Sequence, residues 1–211
     1  MELISLKYSI FVLILLALYY CFPKKCRWGV LLLGSISYYI IICKWYVIFI
    51  LLTILTTYFS AVAIDAMLKK QDAVVKEHKA EWDRQTRKEY REKGRKKRVA
   101  VMIAALVFNF GMLAFLKYIP YASKLGLLLP LGISFYTFQS MGYVMDVYRE
   151  KVEPQKNVFK LALFVSFFPQ IIQGPIAIYD NLAGQLYEGH DFKFRNIQKG
   201  AMLILWGALK K

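Results

Sequence analysis

The sequence predicts an all-α, polytopic transmembrane bundle of about six to seven membrane segments. Of its 211 residues, 58% are hydrophobic and only 20% are charged, which exceeds the apolar content usual in soluble domains. The apolar residues also occur in long runs without Asp, Glu, Lys or Arg. These runs cover 8–22, 28–43, 45–64, 99–116, 125–145 and 161–179. A helix needs about 20 mostly apolar residues to cross a bilayer, so the lipid bilayer is the first predicted partner.

Residues 1–68 are predicted to form the first three transmembrane helices. The run at 8–22 has the length of a signal-peptide core, but Pro23-Lys24-Lys25 follows it where a small-residue cleavage site would stand, so we interpret it as a retained span. Gly34 and Ser35 in the second run offer small surfaces for close helix packing.

The composition changes abruptly at 69–98, which holds 13 basic and six acidic residues and no proline. This segment predicts one charged, solvated helix outside the membrane. Two interpretations of its basic excess stay open. It either anchors the topology or binds anionic lipid or a partner protein.

Positive residues are retained on the cytoplasmic side of membranes, so 69–98 is predicted to be cytoplasmic. Counting back places Lys44 outside, the basic turn at 23–27 inside and the N-terminus outside. The net charge of +15 therefore lies in loops beside spans, which argues against a nucleic-acid partner. We expect a multi-pass protein of the cell membrane.

Residues 99–211 form the third predicted region. Its fourth span carries Asn109, whose amide should face the bundle because an unpaired amide is unfavourable in lipid. The segment 129–150 follows, LPLGISFYTFQSMGYVMDVYRE.

At 100° per residue this segment places four polar side chains within an arc of roughly 80°. They are Tyr136, Gln139, Tyr143 and Asp146, with Phe138, Met141 and Met145 on the opposite, lipid-facing side. We favour a helix that lines a polar cavity or tunnel. The alternative is a buried helix whose polar groups are satisfied by neighbouring helices.

The apolar run at 161–179 is interrupted by Pro169 and by Gly174-Pro175, and proline removes backbone donors. A full crossing would place the basic residues of 193–199 outside. A re-entrant segment would return 180–199 to the cytoplasm, and we favour it because irregular backbone is tolerated where it lines a cavity. Gln173 lies three residues after Gln170, so both can share one face.

No catalytic or metal-binding residue is predicted in this chain. His78 lies in the charged segment and His190 in a polar loop, and adjacent Asp191 seldom gives a usable relay. There is no GxSxG elbow, HExxH site or phosphate loop. The three cysteines lack metal-ligand spacing, and no cofactor is expected.

Two long segments resemble the membrane-bound O-acyltransferase family. PLGISFYTFQSMGYVMDVYRE at 130–150 resembles its signature helix, and FVSFFPQIIQGPIAIYDNL at 164–182 resembles the next motif of the bacterial branch. That branch includes alginate O-acetyltransferases and the teichoic-acid D-alanyl transfer protein. LKYIPY at 116–121 and the final LWGALKK fall in matching order.

The resemblance implies transfer of an acyl group, acetyl first of all, from a cytoplasmic donor to a hydroxyl of an extracytoplasmic polysaccharide or cell-wall polymer. The donor would be an acyl-CoA or an acyl carrier protein. A partner protein could also accept the acyl group. Gln139, Tyr143, Asp146 and Gln173 are expected to line the path between the two sides. The family's catalytic histidine is expected downstream of residue 211, so this part alone should not be catalytic.

Two other classes stay open. Polytopic chains with a broken segment and intramembrane polar residues also include halves of transporters or channels. A non-catalytic membrane scaffold that recruits a partner through 69–98 is the third possibility.

Overall fold

A computed structural model describes residues 6–78, 81–118, 131–174 and 177–210. These ranges form nine helices and contain no strand, which confirms the predicted all-α class for this part of the chain. The helices are α1 (Leu6–Cys21), α2 (Arg27–Cys43), α3 (Val47–Glu77), α4 (Arg84–Tyr118), α5 (Ile133–Tyr148), α6 (Val158–Ser166), α7 (Phe168–Gln173), α8 (Tyr179–Tyr187) and α9 (Phe194–Leu209). Single 3-10 turns at Lys24–Cys26 and Lys44–Tyr46 join α1 to α2 and α2 to α3.

The helices pack as two connected groups. α3, α4 and α5 pack against one another, whereas α6 packs against both α2 and α3, and α1 lies on α2. We call the end of the bundle that carries 69–98 the charged end. α5 ends near the charged end, since Glu150, two residues after this helix, lines a groove there together with Gln71 and Arg98.

The outer surface of the bundle is apolar. Large hydrophobic side chains are exposed on every long helix, such as Leu13 on α1, Ile41 on α2, Phe59 on α3 and Val107 on α4, as well as along α9. Two stretches, Lys24–Glu77 and Arg84–Tyr118, are long and apolar enough to cross a membrane. Water would penalise such a surface and lipid would not. The count of six to seven segments stays a prediction.

The amide of Asn109 faces the bundle, as predicted. Its side chain is fully buried, and Nδ2 donates to Thr56 Oγ1 over 3.0 Å and to the Ala105 carbonyl over 2.9 Å. The polar groups of Asn109 and Thr56 therefore join α4 to α3 at the depth of the apolar surface.

The charged segment is helical, but the prediction of one separate helix was wrong. α3 continues out of its apolar part to Glu77, the chain turns, and α4 begins at Arg84 and continues to Tyr118. The turn is held by aromatic contacts, with the rings of His78 and Trp82 stacked 4.9 Å apart and Trp82 5.1 Å from Tyr90. The two apolar helices therefore extend into a charged helical hairpin.

A buried amide fixes the two arms of this hairpin. Gln71 on α3 donates to the Tyr90 carbonyl over 2.9 Å and accepts a hydrogen bond from Arg98, and both side chains are buried. Gly94 lies directly against the Gln71 amide, so any side chain there would collide with it. Glycine at 94 thus allows the close approach of the arms.

The two ends of 158–187 lie together. Tyr187 at the end of α8 donates to the Lys160 carbonyl near the start of α6 over 2.8 Å. Between them, the ring of Phe168 packs on Phe11 and Tyr38 at 5.3 and 5.4 Å. α6 and α7 therefore lead into the bundle, and α8 ends beside the start of α6.

Gly132 joins the tip of this segment to the start of α5. Its φ is +70°, a left-handed conformation that favours glycine, and a Cβ there would collide with the side chain of Ile171. Both the backbone and the packing therefore require glycine.

Candidate functional site

The site is built on α5, which is enclosed by α3, α4 and α6. Tyr136 and Val144 are fully buried, whereas Phe138 is 47% exposed and turns outward as predicted. Met141 was predicted to face lipid, but it is only 1% exposed. The prediction was wrong because neighbouring helices cover α5 on more than one face.

Gln139 connects the two segments that carry the family resemblance. The side chain is 3% exposed, and its Nε2 donates to the Phe164 carbonyl over 2.9 Å. α6 ends at Ser166, and the Phe168 amide, which would continue the helix, instead lies 3.5 Å from Ser35 Oγ. Gln139 therefore caps a carbonyl that the broken helix leaves without its usual partner.

Tyr143 lies one turn further along α5, in a cluster of tyrosines. Its hydroxyl accepts a hydrogen bond from the backbone N–H of Gln155 over 2.8 Å, and its ring centre lies 4.6 Å from that of Tyr179. The Gln155 side chain donates to the Tyr179 hydroxyl over 3.2 Å. Tyr187 lies 6.5 Å from Tyr179. We call Tyr143, Gln155, Tyr179 and Tyr187 the tyrosine cluster.

Sequence reasoning found Tyr143 but missed the other three members. Tyr179 lies near the end of the second motif segment, and Gln155 follows the first, yet no periodicity connects them. Lys160 supports the cluster, because its Nζ lies 5.2 Å from the Tyr187 ring and 5.9 Å from that of Trp28. Such cation–π contacts depend on the fold and leave no sequence signal.

Among the four predicted path residues, the structure describes the side chains of Gln139, Tyr143 and Asp146. Gln139 and Tyr143 both lie at the interface of α5 with the segment that follows it. Asp146 is half-buried near the charged end and takes no part in the described hydrogen bonds of the cluster. Gln173 ends α7, and its side chain lies outside the described residues.

Both histidines are held by backbone carbonyls. His78 Nδ1 lies 3.2 Å from the Val74 carbonyl, and His190 Nε2 lies 2.9 Å from the Gln185 carbonyl. Since a carbonyl only accepts, each of these nitrogens carries the proton. Asp191 pairs with Lys24 at 2.6 Å rather than with His190, and this hydrogen bond and charge lower the pKa of Asp191.

The loop that contains His190 docks on the turn between α1 and α2. The His190 amide donates to Tyr19 over 3.2 Å, its carbonyl accepts from Arg27, and Gly189 lies against the backbone of Lys24. An apolar cavity of about 390 Å³ lies beside it, lined by Leu15 and other residues of α1, α7 and α8. Within the described part of the chain, no cluster of three His, Cys, Asp or Glu side chains could hold a metal ion.

Comparison with curated proteins finds O-acetyltransferases. The chain is 38% identical over 84 residues to the probable alginate O-acetylase AlgI of Pseudomonas syringae pv. tomato, which covers 40% of this chain and 16% of the relative. The AlgI of Pseudomonas aeruginosa is 36% identical over 85 residues, again with 40% and 16% coverage. The peptidoglycan O-acetyltransferase of Helicobacter pylori is 32% identical over 148 residues, covering 52% of this chain and 28% of the relative.

These relatives confirm the resemblance that the motifs predicted. The chain spans between about a sixth and somewhat more than a quarter of the length of the relatives described. No family model matches the chain, and no solved structure matches it.

Proposed function

We propose that this chain is part of a membrane O-acyltransferase that moves an acetyl group from a cytoplasmic donor to a hydroxyl of an extracytoplasmic polymer. One observation carries the proposal: the chain is similar to alginate and peptidoglycan O-acetyltransferases of several bacteria. Both named acceptors are polymers rich in hydroxyl groups. The acceptor here is accordingly a polysaccharide or cell-wall polymer, and a partner protein would be an intermediate acceptor.

The chemistry of such a transfer defines what the whole protein must supply. The acceptor oxygen forms an ester bond to the acyl carbon, the thiolate of the donor leaves, and the hydroxyl proton passes to a base. Donors of hydrogen bonds steady the developing oxyanion. We assign the base to neither His78, which lies in the charged segment, nor His190, which lies in a polar loop.

The role we assign to this chain is to build the path between the two sides. The hydrogen bond from Gln139 to the Phe164 carbonyl fixes the broken segment against α5. One turn closer to the charged end, Tyr143 holds Gln155 by a hydrogen bond and Tyr179 by a ring contact. These bonds run along one flank of α5 from its middle toward the charged end. Asp146 and Gln173 complete the proposed lining nearer the two ends.

The orientation follows from the charges. If 69–98 is cytoplasmic, the contacts of 189–191 with the basic turn at 24–27 support a cytoplasmic position for both. The segment 158–187 is then re-entrant, opening toward the cytoplasm. The cytoplasmic side, which positive residues favour, then also holds Lys193, Arg195 and Lys199.

The test is acetyl transfer by the full-length protein. The gene that encodes this chain is expressed in a bacterium that lacks its own polymer O-acetyltransferase, and alkali-released acetate is measured on isolated cell-wall polymer. We expect ester-linked acetate with the wild type. Its absence from every polymer fraction, with the protein present in the membrane, would refute the function.

Two variants test the path separately. Gln139→Ala and Asp146→Asn should each lower the acetate on the polymer while the amount of membrane protein stays constant. Phe138→Leu, on the outward face, is the control and should transfer normally. If both path variants keep wild-type transfer and expression, these residues do not line the path.

A further inference from the structure

We propose that the groove between the two arms of the charged hairpin binds a soluble ligand that carries two or more phosphate groups. The groove has a volume of about 1350 Å³ and lies between the end of α3 and the start of α4. Ligand pockets in proteins typically measure about 300–1,000 Å³, so a nucleotide-sized molecule fits.

The α4 wall of this groove is a stripe of cations. They are Arg84, Arg87, Lys88, Arg91, Arg95 and Arg98. The spacing of three or four residues is the one at which helices usually present apolar side chains to a partner. Here the face that meets α3 presents guanidinium and ammonium groups instead. The two arms are therefore not held together by apolar side chains on this face of α4.

The groove carries uncompensated positive charge. Seven cationic and four anionic side chains line it, which leaves a net charge of +3. Within the described part of the chain, the ion pairs are Lys24–Asp191 and Lys69–Asp65, and neither lies in the groove. Cations that crowd along one wall of a concave surface repel one another and attract anions.

One end of the groove is rigid. Arg98 is 8% exposed and bonds to the buried amide of Gln71, which also holds the Tyr90 carbonyl of the opposite arm. This connection fixes the separation of the arms, so the remaining arginines are held at a defined spacing. Arginine suits phosphate because its planar fork donates two parallel hydrogen bonds.

The distance that the charged part of α4 extends from the apolar surface favours a soluble ligand over a lipid headgroup. Arg84 lies 14 residues before Arg98 on one helix, which is about 21 Å at about 1.5 Å per residue. The headgroup layer of a bilayer is only about 5–8 Å deep on each side. With Arg98 at the apolar boundary, Arg84, Arg87 and Lys88 extend beyond the headgroups. A concave site also suits a small ligand better than the surface of an acidic protein.

Under the proposed function, on which this identification rests, the ligand is the phosphate-bearing end of the thioester donor. Binding itself does not depend on turnover. The two ideas can therefore fail separately, because a protein that acetylates polymer but binds no phosphate in the groove would overturn only this inference.

The experiment measures binding of coenzyme A to the full-length protein in neutral detergent, by equilibrium dialysis at low and high salt, with inorganic diphosphate as competitor. The groove variant is Arg84→Gln with Arg91→Gln and Arg95→Gln. The matched control, Lys93→Gln with Lys96→Gln and Lys97→Gln, removes three charges from the same stretch of α4 but outside the groove.

We expect diphosphate to compete with coenzyme A and the groove variant to weaken binding at least about tenfold, since each lost charge-assisted contact is strong. The control should weaken it less than about threefold through long-range charge alone. Equal weakening by both variants, or no binding by the wild type, would overturn the inference. So would binding to vesicles of anionic phospholipid that diphosphate does not displace and the groove variant loses.

Discussion

Replacing Gln139 tests whether the side-chain cap on the broken helix holds the motif segments together. Gln139→Leu keeps the approximate volume and removes the donor. The Phe164 carbonyl then stays buried without a partner, because the Phe168 amide already lies near Ser35 Oγ. We expect the full-length protein to lose stability while retaining its helices.

The magnitude follows from two limits. An unsatisfied buried carbonyl costs about 1–3 kcal/mol, whereas side-chain hydrogen bonds between membrane helices average about 0.6 kcal/mol and reach about 1.7 kcal/mol. A loss of about 1–1.7 kcal/mol satisfies both. Each kcal/mol lowers Tm by roughly 2–4 °C in a domain of 150–250 residues, and by less in a longer protein. Gln139→Glu should cost more, because its carboxylate would face the carbonyl oxygen.

The assay is thermal unfolding in mild detergent, followed by intrinsic fluorescence. Phe138→Leu is the control, since the neighbouring ring is half exposed on the outward face, and it should change Tm little. If Gln139→Leu unfolds at the wild-type temperature, the bond from Gln139 to Phe164 does not stabilise the segment. The cap would then be incidental to the fold.

Three further predictions concern the backbone, the topology and the docked loop. Gly132→Ala should cost about 1–2 kcal/mol for the left-handed backbone and about 1–3 kcal/mol for the collision with Ile171, whereas Gly142→Ala, with open space around it, should be neutral or stabilising in the same unfolding assay. In a variant without the three native cysteines, an impermeant maleimide applied to intact cells should label Lys44→Cys but neither Lys93→Cys nor Asp191→Cys, and labelling at 191 from outside would show that 161–179 crosses. Because Lys24 lowers the pKa of Asp191 below its ordinary 3.8, the pair stabilises the loop fully above that value and is lost as the pH falls through the lower folded pKa. The rate of hydrogen exchange at 188–193, corrected for its intrinsic pH dependence, should rise at acidic pH. Asp191→Asn should raise this rate in the same way at neutral pH. If neither acid nor the substitution changes the exchange rate, the pairing does not hold the loop.

Some features of this chain could be predicted from the sequence because they depend on local or one-dimensional patterns. The apolar runs predict helices with an apolar outer surface, and the isolated amide of Asn109 predicts an inward-facing polar group. Pro169 and Gly174 predict a broken segment. The polar arc on α5 also predicts that Gln139 and Tyr143 face protein. In each case the penalty for exposing or burying one group decides the outcome.

Tertiary structure decided what depends on contacts between distant residues. The charged segment has helical composition throughout, yet it is divided between the end of α3 and the start of α4, where Trp82 stacks on His78 and Gln71 bridges the arms. Met141 is buried because several helices surround α5, which periodicity on one helix cannot show. Gln155, Tyr179 and Tyr187 become one cluster with Tyr143 only when the segment after α6 returns. Helical periodicity fixes which side of a helix a residue occupies, whereas the packing of the other helices fixes what that side meets.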